Sequence, residues 1–378
     1  MYALMITPNK FPEGDAGAVR DGYFAKIYQA LGYKVFHIGM GTDSKKGVYK
    51  DVSYVSLYRE NGSLFSKVKN NLSYRVSLEQ IYEKIVSKQG VPNLIHIYDI
   101  PASGIEWARR IAIKNEIQIV HDSVEWYSAC EFKFGKLAYP YILKNTTNTK
   151  LIKSPIDVIA ISSYLEKHFT SKGLRTIRIP VIMDSDEYEP KERVEISKIK
   201  IVYAGSPAKK DFLAECIQAF EELPEDVRRK FEFRILGADQ LFVQQCCSGI
   251  IPEEIMAFGR VPRAEVISNL EEADFSILIR PENERYTKAG FPTKFVEAMM
   301  NGCAMICNLT SDLEMYLEDG VNSVIVKGST VEAIKDALFQ VSSMSHDQLN
   351  RMRECSRKTA ENNFDYRLFV EKMRTFLC

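Results

Sequence analysis

IVYAGSPAKKDFLAECIQAF, residues 201–220, reads as a strand, a turn and a helix in immediate succession. Apolar and β-branched residues run to Ala204, Gly205 permits close backbone approach, and Ser206 and Pro207 turn the chain. Leu213, Ile217 and Phe220 then recur at helical spacing and supply a face that packs on a sheet. The same strand-then-helix texture extends in both directions. Downstream, apolar runs at 231–236, 275–279, 304–307 and 324–326 predict further strands; upstream, 2–6, 34–38, 94–98, 117–120 and 158–161 do the same. Short buried strands alternating with amphipathic helices are the sequence form of parallel sheets covered on both faces, so the fold class is α/β with two Rossmann-like domains. DSDEYEPKERVEISK, 184–198, has little to bury and predicts a linker over 186–198, between domains at 1–185 and 199–360. At 361–378, Phe369, Met373 and Leu377 at period four predict a closing helix.

Composition narrows the function classes. The chain has 378 residues, with 50 Lys plus Arg balancing 50 Asp plus Glu, which removes the bulk charge expected of a protein that coats nucleic acid. At 46% hydrophobic and 26% charged residues, both halves can bury cores. Eight cysteines without a CxxC pair do not form a disulfide framework, and Cys303 and Cys307 read as core thiols. The first residues, MYALMITPNKFP, lack the pattern of a signal peptide, and no apolar run reaches the roughly 18 residues needed to span a bilayer. A cytoplasmic location is expected, with peripheral contact at the inner face of a membrane left open.

Chemistry is sought after strand ends, where open parallel sheets collect ligands. In AGFPTKFVEAMMNGCAMICN, 289–308, Gly290 gives a flexible entry, Pro292 suits a first turn, and Thr293 to Met300 reads as helix. Its free amides and positive dipole end suit a phosphate. Lys294 and Glu297 share one face: the lysine can pair with diphosphate and the carboxylate can accept from ribose hydroxyls, although a surface ion pair between them fits equally. Lys209 and Lys210 stand near the start of the helix after Gly205, where a cation is unfavourable unless an anion lies between it and the amides; exposed lysines beside Asp211 are the alternative. Arg280 follows the 275–279 strand and suits diphosphate, or a salt bridge to Glu282 or Glu284.

In FPEGDAGAVRDGYFAKIYQALGYKV, 11–35, Gly14, Ala16 and Gly17 occupy a loop after the first strand and Arg20 opens the following helix. This is not the GxGxxG fingerprint, and no GxxxxGK[ST] occurs. His121 follows the 117–120 strand and precedes Asp122, Glu125 and Trp126, so its imidazole can reach substrate hydroxyls or be satisfied by Asp122. No HExxH, Cys/His cluster or spaced carboxylate loop suggests a metal.

The Gly14–Gly17 loop, His121, ISSYL at 161–165, YAGSPAKKD and GFPTKFVEAMMNG together resemble the retaining glycosyltransferases of family 4, the group 1 glycosyl transferases, built on the GT-B fold of two Rossmann-like domains facing a central cleft, with a C-terminal helix that can cross back to the first domain. The resemblance implies a metal-independent hexosyltransferase that moves a sugar from a nucleotide-sugar donor, UDP- or GDP-linked, to a saccharide or lipid-linked acceptor with retention, in surface polysaccharide or glycoconjugate assembly, with no further cofactor. It implies donor contacts from Gly205, Ser206, Lys210, Arg280, Gly290, Phe291, Pro292, Thr293, Lys294 and Glu297, with His121 beside the donor sugar, and catalytic weight on His121, Lys210 and Glu297. Gly14, Ala16, Gly17 and Arg20 would face the acceptor. Two positions depart from the family pattern. Ala289 stands where the first glutamate of E-x7-E is usual, and Ser206 stands where an arginine is common. An inactive sugar-nucleotide-binding protein, an inverting transferase and an epimerase of the same architecture are the alternatives. EFKFGKLAYPYILKNTTNTKLIK, 131–153, mixes aromatics with lysines and reads either as a membrane-facing segment or as a helical flap on its own domain.

Overall fold

The computed structural model describes every residue except 13, 15, 42–44, 59–63, 189–197 and 208–209, and the remaining side chains except those of 58 and 64–72. The chain divides into two compact units, Met1–Ile182 together with Tyr366–Cys378, and Met183–Asp365. Most of the predicted linker lies outside the described residues. Its first residues, Asp186 and Glu187, belong to a single 3-10 turn, Ser185–Glu187, whose first N–H donates to Asp365 Oδ2 at 2.9 Å.

Among the described residues, the first unit holds β1 (Tyr2–Ile6), β2 (Lys34–Gly41), β3 (Lys46–Tyr49), β4 (Val52–Tyr58), β5 (Leu94–Ile97), β6 (Gln118–Ser123), β7 (Asp157–Ala160) and β8 (Thr176–Arg178). They form one sheet in the order β3-β4-β2-β1-β5-β6-β7-β8, parallel except for the β3–β4 pair. Every residue of β1 is buried, as a central parallel strand under two helical layers requires. β3, β4 and β8 escape the sequence pattern. All four residues of β3 are exposed, β4 interleaves serines with apolar residues, and β8 has only three residues. The closing segment is a 3-10 turn, Tyr366–Phe369, and a helix, Val370–Leu377. Phe369, Met373 and Phe376 are its buried residues, so the inward stripe turns to Phe376 rather than the expected Leu377. It packs on the helix Ala16–Ala30, with Lys26 Nζ 5.6 Å from the centre of the Tyr366 ring.

The second unit holds β9 (Ile199–Ala204), β10 (Phe231–Leu236), β11 (Ile255–Gly259), β12 (Phe275–Leu278), β13 (Ala304–Cys307) and β14 (Ser323–Ile325). The order is β11-β10-β9-β12-β13-β14 and all pairs are parallel. β11 is the strand here that the sequence reading does not predict: it is a short apolar run that ends on glycine, with Met256 and Phe258 exposed. Leu213, Ile217 and Phe220 do form the buried face of the helix after β9, with Phe220 packed against Phe231 and Phe233. Cys303 and Cys307 are fully buried. The strand order reverses between β9 and β12, and in doubly wound sheets that reversal opens a crevice at the carboxyl ends of the strands.

Candidate functional site

Gly205 follows β9 and Arg280 stands just beyond β12, so both lie at the reversal point of the second sheet. The backbone at Gly205 has φ +153°, and a Cβ there would collide with the end of the Lys294 side chain. Glycine is therefore required for Lys294 to lie across the strand end. Phe212 N–H donates to Ile279 O at 2.8 Å and fastens the loop after β9 to the end of β12.

Asp211 is the centre of this site. Lys294 Nζ donates to its Oδ2 at 2.7 Å, Arg280 Nε donates to its Oδ1 at 3.1 Å, and the Tyr203 hydroxyl donates to Oδ2 at 3.1 Å. Its side chain is only 5% exposed, whereas that of Lys294 is 37% exposed. Burial alone would raise the Asp211 pKa, but Lys294 and then Arg280 hold it below the ordinary carboxylate value. Lys294 also lies 4.9 Å from the centre of the Tyr203 ring, whose own pKa burial pushes up. The Arg280 backbone is fixed by Asn308, which accepts from its N–H at 2.9 Å and donates to its carbonyl at 2.7 Å. Lys210, the residue before Asp211, stands 5.6 Å from the centre of the Tyr286 ring. Lys294 and Arg280 are thus set against one buried carboxylate, two positive charges against one negative, which suits a diphosphate.

Several expected pairings resolve differently. Arg280 binds neither Glu282 nor Glu284 but Asp211, 69 residues away. Lys294 and Glu297 do not pair with each other: Glu297 Oε1 accepts from Arg263 at 2.7 Å. Burial raises the Glu297 pKa and Arg263 opposes that rise. Thr293–Met300 is helical as expected, with Pro292 as its N-cap rather than in the first turn. Gly290 ends a short helix, Arg285–Ala289, and its N–H donates to Tyr286 O at 3.0 Å. Phe291 is buried against Phe295, Tyr316 and Phe364, which makes it a core aromatic. Ser206 is exposed, and Lys209 lies outside the described residues. Ala289 is fully buried.

In the first unit, His121 is not at a strand end but inside β6, registered against Ile97 and Val158 and 2% exposed. Asp122 does not satisfy it, because neighbouring residues on a strand face opposite sides of the sheet. Asp122 instead accepts from Arg20 Nε at 2.7 Å and Nη2 at 2.9 Å, and Arg20 also donates to Pro180 O and Ile179 O. Burial, reinforced by Lys144, lowers the His121 pKa to about 3, so the imidazole is neutral, and its Nδ1 has no hydrogen-bond partner among the described residues. Ala16 begins the helix that carries Arg20. Gly17 is likewise in the first turn of that helix rather than in the expected loop; a Cβ on it would stand 2.5 Å from Asn9 Oδ1, and Asn9 donates to the buried Asp21 at 2.8 Å, so the helix start sits directly on a polar network. Asp211, Tyr203, Arg263 and Asn308 were missed as site residues. Asp211 lay in view beside Lys210, but its partners are distant in sequence.

Residues 184–359 match the family model of the glycosyl transferases group 1, and these residues make up nearly all of the second unit. The two-sheet architecture is the GT-B fold, and the match to the group 1 glycosyl transferase model lies within the second unit. The chain is 24% identical over 282 residues to an uncharacterized glycosyltransferase of Methanocaldococcus jannaschii, covering 70% of this chain and 68% of that protein. Its fold is similar to that of sucrose-phosphate synthase from Thermosynechococcus elongatus, with TM-score 0.76, 12% identity and coverage of 99% and 98% of the two chains. It is also similar to HepE from Anabaena, solved with UDP and glucose, with TM-score 0.67, 14% identity and coverage of 100% and 99%.

Proposed function

We propose that this chain transfers a hexosyl group from a UDP- or GDP-sugar to a saccharide or lipid-linked acceptor, with retention of configuration, in surface polysaccharide or glycoconjugate assembly. The observation that carries the reading is the fastening of Lys294 and Arg280 to one buried Asp211 beside Gly205, at the reversal point of the second sheet. Held there, the two cations and Lys210 face the charge that grows on a departing diphosphate, and so stabilise the transition state more than the ground state. They take over the charge that Ser206 lacks. Glu297, one helical turn beyond Lys294, accepts from ribose hydroxyls once Arg263 yields its carboxylate.

The transfer is a front-face displacement. The bond between the anomeric carbon and the phosphate oxygen breaks, the acceptor oxygen bonds to the same face, and the acceptor proton passes to the departing phosphate oxygen. His121, neutral and buried, orients the sugar and is not the base. UDP-glucose and GDP-mannose are incubated with a saccharide panel, nucleoside diphosphate release is followed, and the product anomer is read by NMR. Release of diphosphate with a retained anomer is expected; an inverted anomer would overturn the displacement, and no release from any donor would overturn the transferase reading. The buried Ala289, in place of the family's first glutamate, favours a second reading, a binder without turnover, which the same release assay separates.

On the acceptor side, residues 131–153 include a 3-10 turn, Gly135–Leu137, a helix, Tyr139–Thr146, and a π-helical turn, Thr147–Leu151, with Phe134, Leu137 and Ile142 exposed near Lys133 and Lys136. Apolar side chains flanked by lysines suit peripheral contact with an anionic membrane carrying a lipid-linked acceptor.

A further inference from the structure

We propose that Arg263 is a built-in competitor for the nucleotide: by holding the Glu297 carboxylate in the free protein, it sets how tightly the second unit binds a ribose-bearing ligand. Arg263 is the first residue of the helix Arg263–Glu272, which follows β11, and Glu297 lies one turn into Thr293–Met300, beyond β12. Both helices therefore start at the carboxyl edge of the second sheet, where its crevice opens. The Arg263 Nη2 donates to Glu297 Oε1 at 2.7 Å and joins residues 34 apart in sequence.

The Arg263 helix does not itself call for a cation at that position. A helix N-terminus carries the positive end of the dipole, so an arginine on the first residue is disfavoured, and Pro262, its N-cap, offers no side-chain cap. Glu297 compensates for that cost. In return, Arg263 is the one partner of the Glu297 carboxylate among the described residues, and it opposes the rise in pKa that burial imposes there.

The two ion pairs on the Thr293–Met300 helix are built differently. Lys294 is tied to Asp211, whose side chain is 5% exposed and also accepts from Arg280 and Tyr203, so that bond belongs to a fixed network. The Glu297 side chain is 17% exposed but that of Arg263 is 53% exposed, so the guanidinium can turn into water on its long stem while the carboxylate stays in place. A carboxylate so enclosed is under-bonded once its cation leaves, and two ribose hydroxyls supply donors in its stead. Ligand and Arg263 thus exclude one another at the same oxygens, and the apparent affinity is the intrinsic one reduced by the fraction of molecules in which Glu297 is free. Donor and departing nucleoside diphosphate are weakened alike, which keeps the product from occupying the site. That the ligand presents a ribose to Glu297 rests on the proposed transferase reading.

UDP, GDP and inorganic pyrophosphate are titrated calorimetrically at about pH 8, well clear of the carboxylate range. The proteins are wild type, Arg263→Ala, Arg263→Gln, Glu297→Gln and the Arg263→Ala, Glu297→Gln double variant, with melting followed by circular dichroism. Arg263→Ala is expected to bind the nucleotide about fivefold more tightly than wild type, with pyrophosphate binding unchanged or weaker. Arg263→Gln, which keeps much of the stem without the charge, gives the same direction of change if alanine at this position lowers the melting temperature. In the Glu297→Gln background, removing Arg263 is expected to bring no gain, because the charge that holds the guanidinium is gone. Nucleotide affinity equal to or weaker than wild type in both Arg263 variants, the same gain for pyrophosphate, or a gain that persists in the double variant would overturn the proposal while leaving nucleotide binding intact. Binding of neither UDP nor GDP to wild type or to Arg263→Ala would overturn the transferase reading and the competition together.

Discussion

Replacing Asp211 by asparagine removes one negative charge from beneath two cations at almost constant volume. In the wild type that carboxylate accepts from Lys294, Arg280 and Tyr203 at 2.7 to 3.1 Å, and its side chain is 5% exposed. Hydrogen bonds to charged groups contribute roughly 1.5–3 kcal/mol each, and the half-exposed Lys294 belongs at or below the bottom of that range. The expected loss is about 2–4 kcal/mol, or a fall in Tm of roughly 5–12 °C for a domain of this size. For anions the sign reverses: Lys294 and Arg280 no longer share their charge with a carboxylate, so the variant binds UDP at least as tightly as wild type and gains more from saturating UDP.

The pH dependence follows from the direction of the Asp211 shift. Its folded pKa lies below the ordinary value, so its contribution is complete above about pH 5 and is lost as pH falls through the lower folded value. Differential scanning calorimetry of both proteins, with and without UDP and across pH, reads all three effects. A Tm gap under about 2 °C, a gap that widens between neutral and alkaline pH, or a UDP affinity more than about tenfold weaker in the variant would refute the reasoning.

Gly205→Ala places a methyl group against Lys294 and is expected to weaken UDP binding by about tenfold or more in calorimetric titration, with the secondary structure retained. Arg20→Ala leaves Asp122 buried without its partner and should cost roughly 3–5 kcal/mol in urea unfolding of the first unit. His121, with its pKa lowered to about 3, should keep a neutral imidazole NMR signature down to about pH 5; because unfolding lets it bind a proton, its effect on stability is an erosion as pH falls below about 6.5. Flotation with anionic liposomes should fall when Phe134 and Leu137 are both replaced by serine; unchanged flotation would remove the membrane contact.

The parallel strands are most legible where a strand is buried on both faces, as in β1 and β13, because each is then a continuous apolar run. β3 is hidden for the converse reason, since all of its residues are exposed, whereas β11 is apolar in sequence but only five residues long and ends on glycine. At the site, chain position marks Gly205 and Arg280 as strand-end residues, Lys294 as a helix-start residue and Glu297 as the residue one turn further on. Their partners were not legible. Local spacing offered Lys294 to Glu297 and Arg280 to Glu282, whereas folding joins Lys294 and Arg280 to Asp211 across 83 and 69 residues. His121 was misplaced because a histidine in an apolar run looks like the run's end, although β6 continues through Asp122 to Ser123.

The central claim is that the second unit grips a nucleotide through its diphosphate. Calorimetric titration of UDP against uridine, and of GDP against guanosine, into wild type and into the Lys294→Ala, Arg280→Ala double variant tests it directly. One diphosphate should bind wild type about a hundredfold more tightly than its nucleoside, with that advantage falling below about tenfold in the double variant. Diphosphate and nucleoside binding alike in wild type, or an advantage that survives loss of both cations, would contradict it.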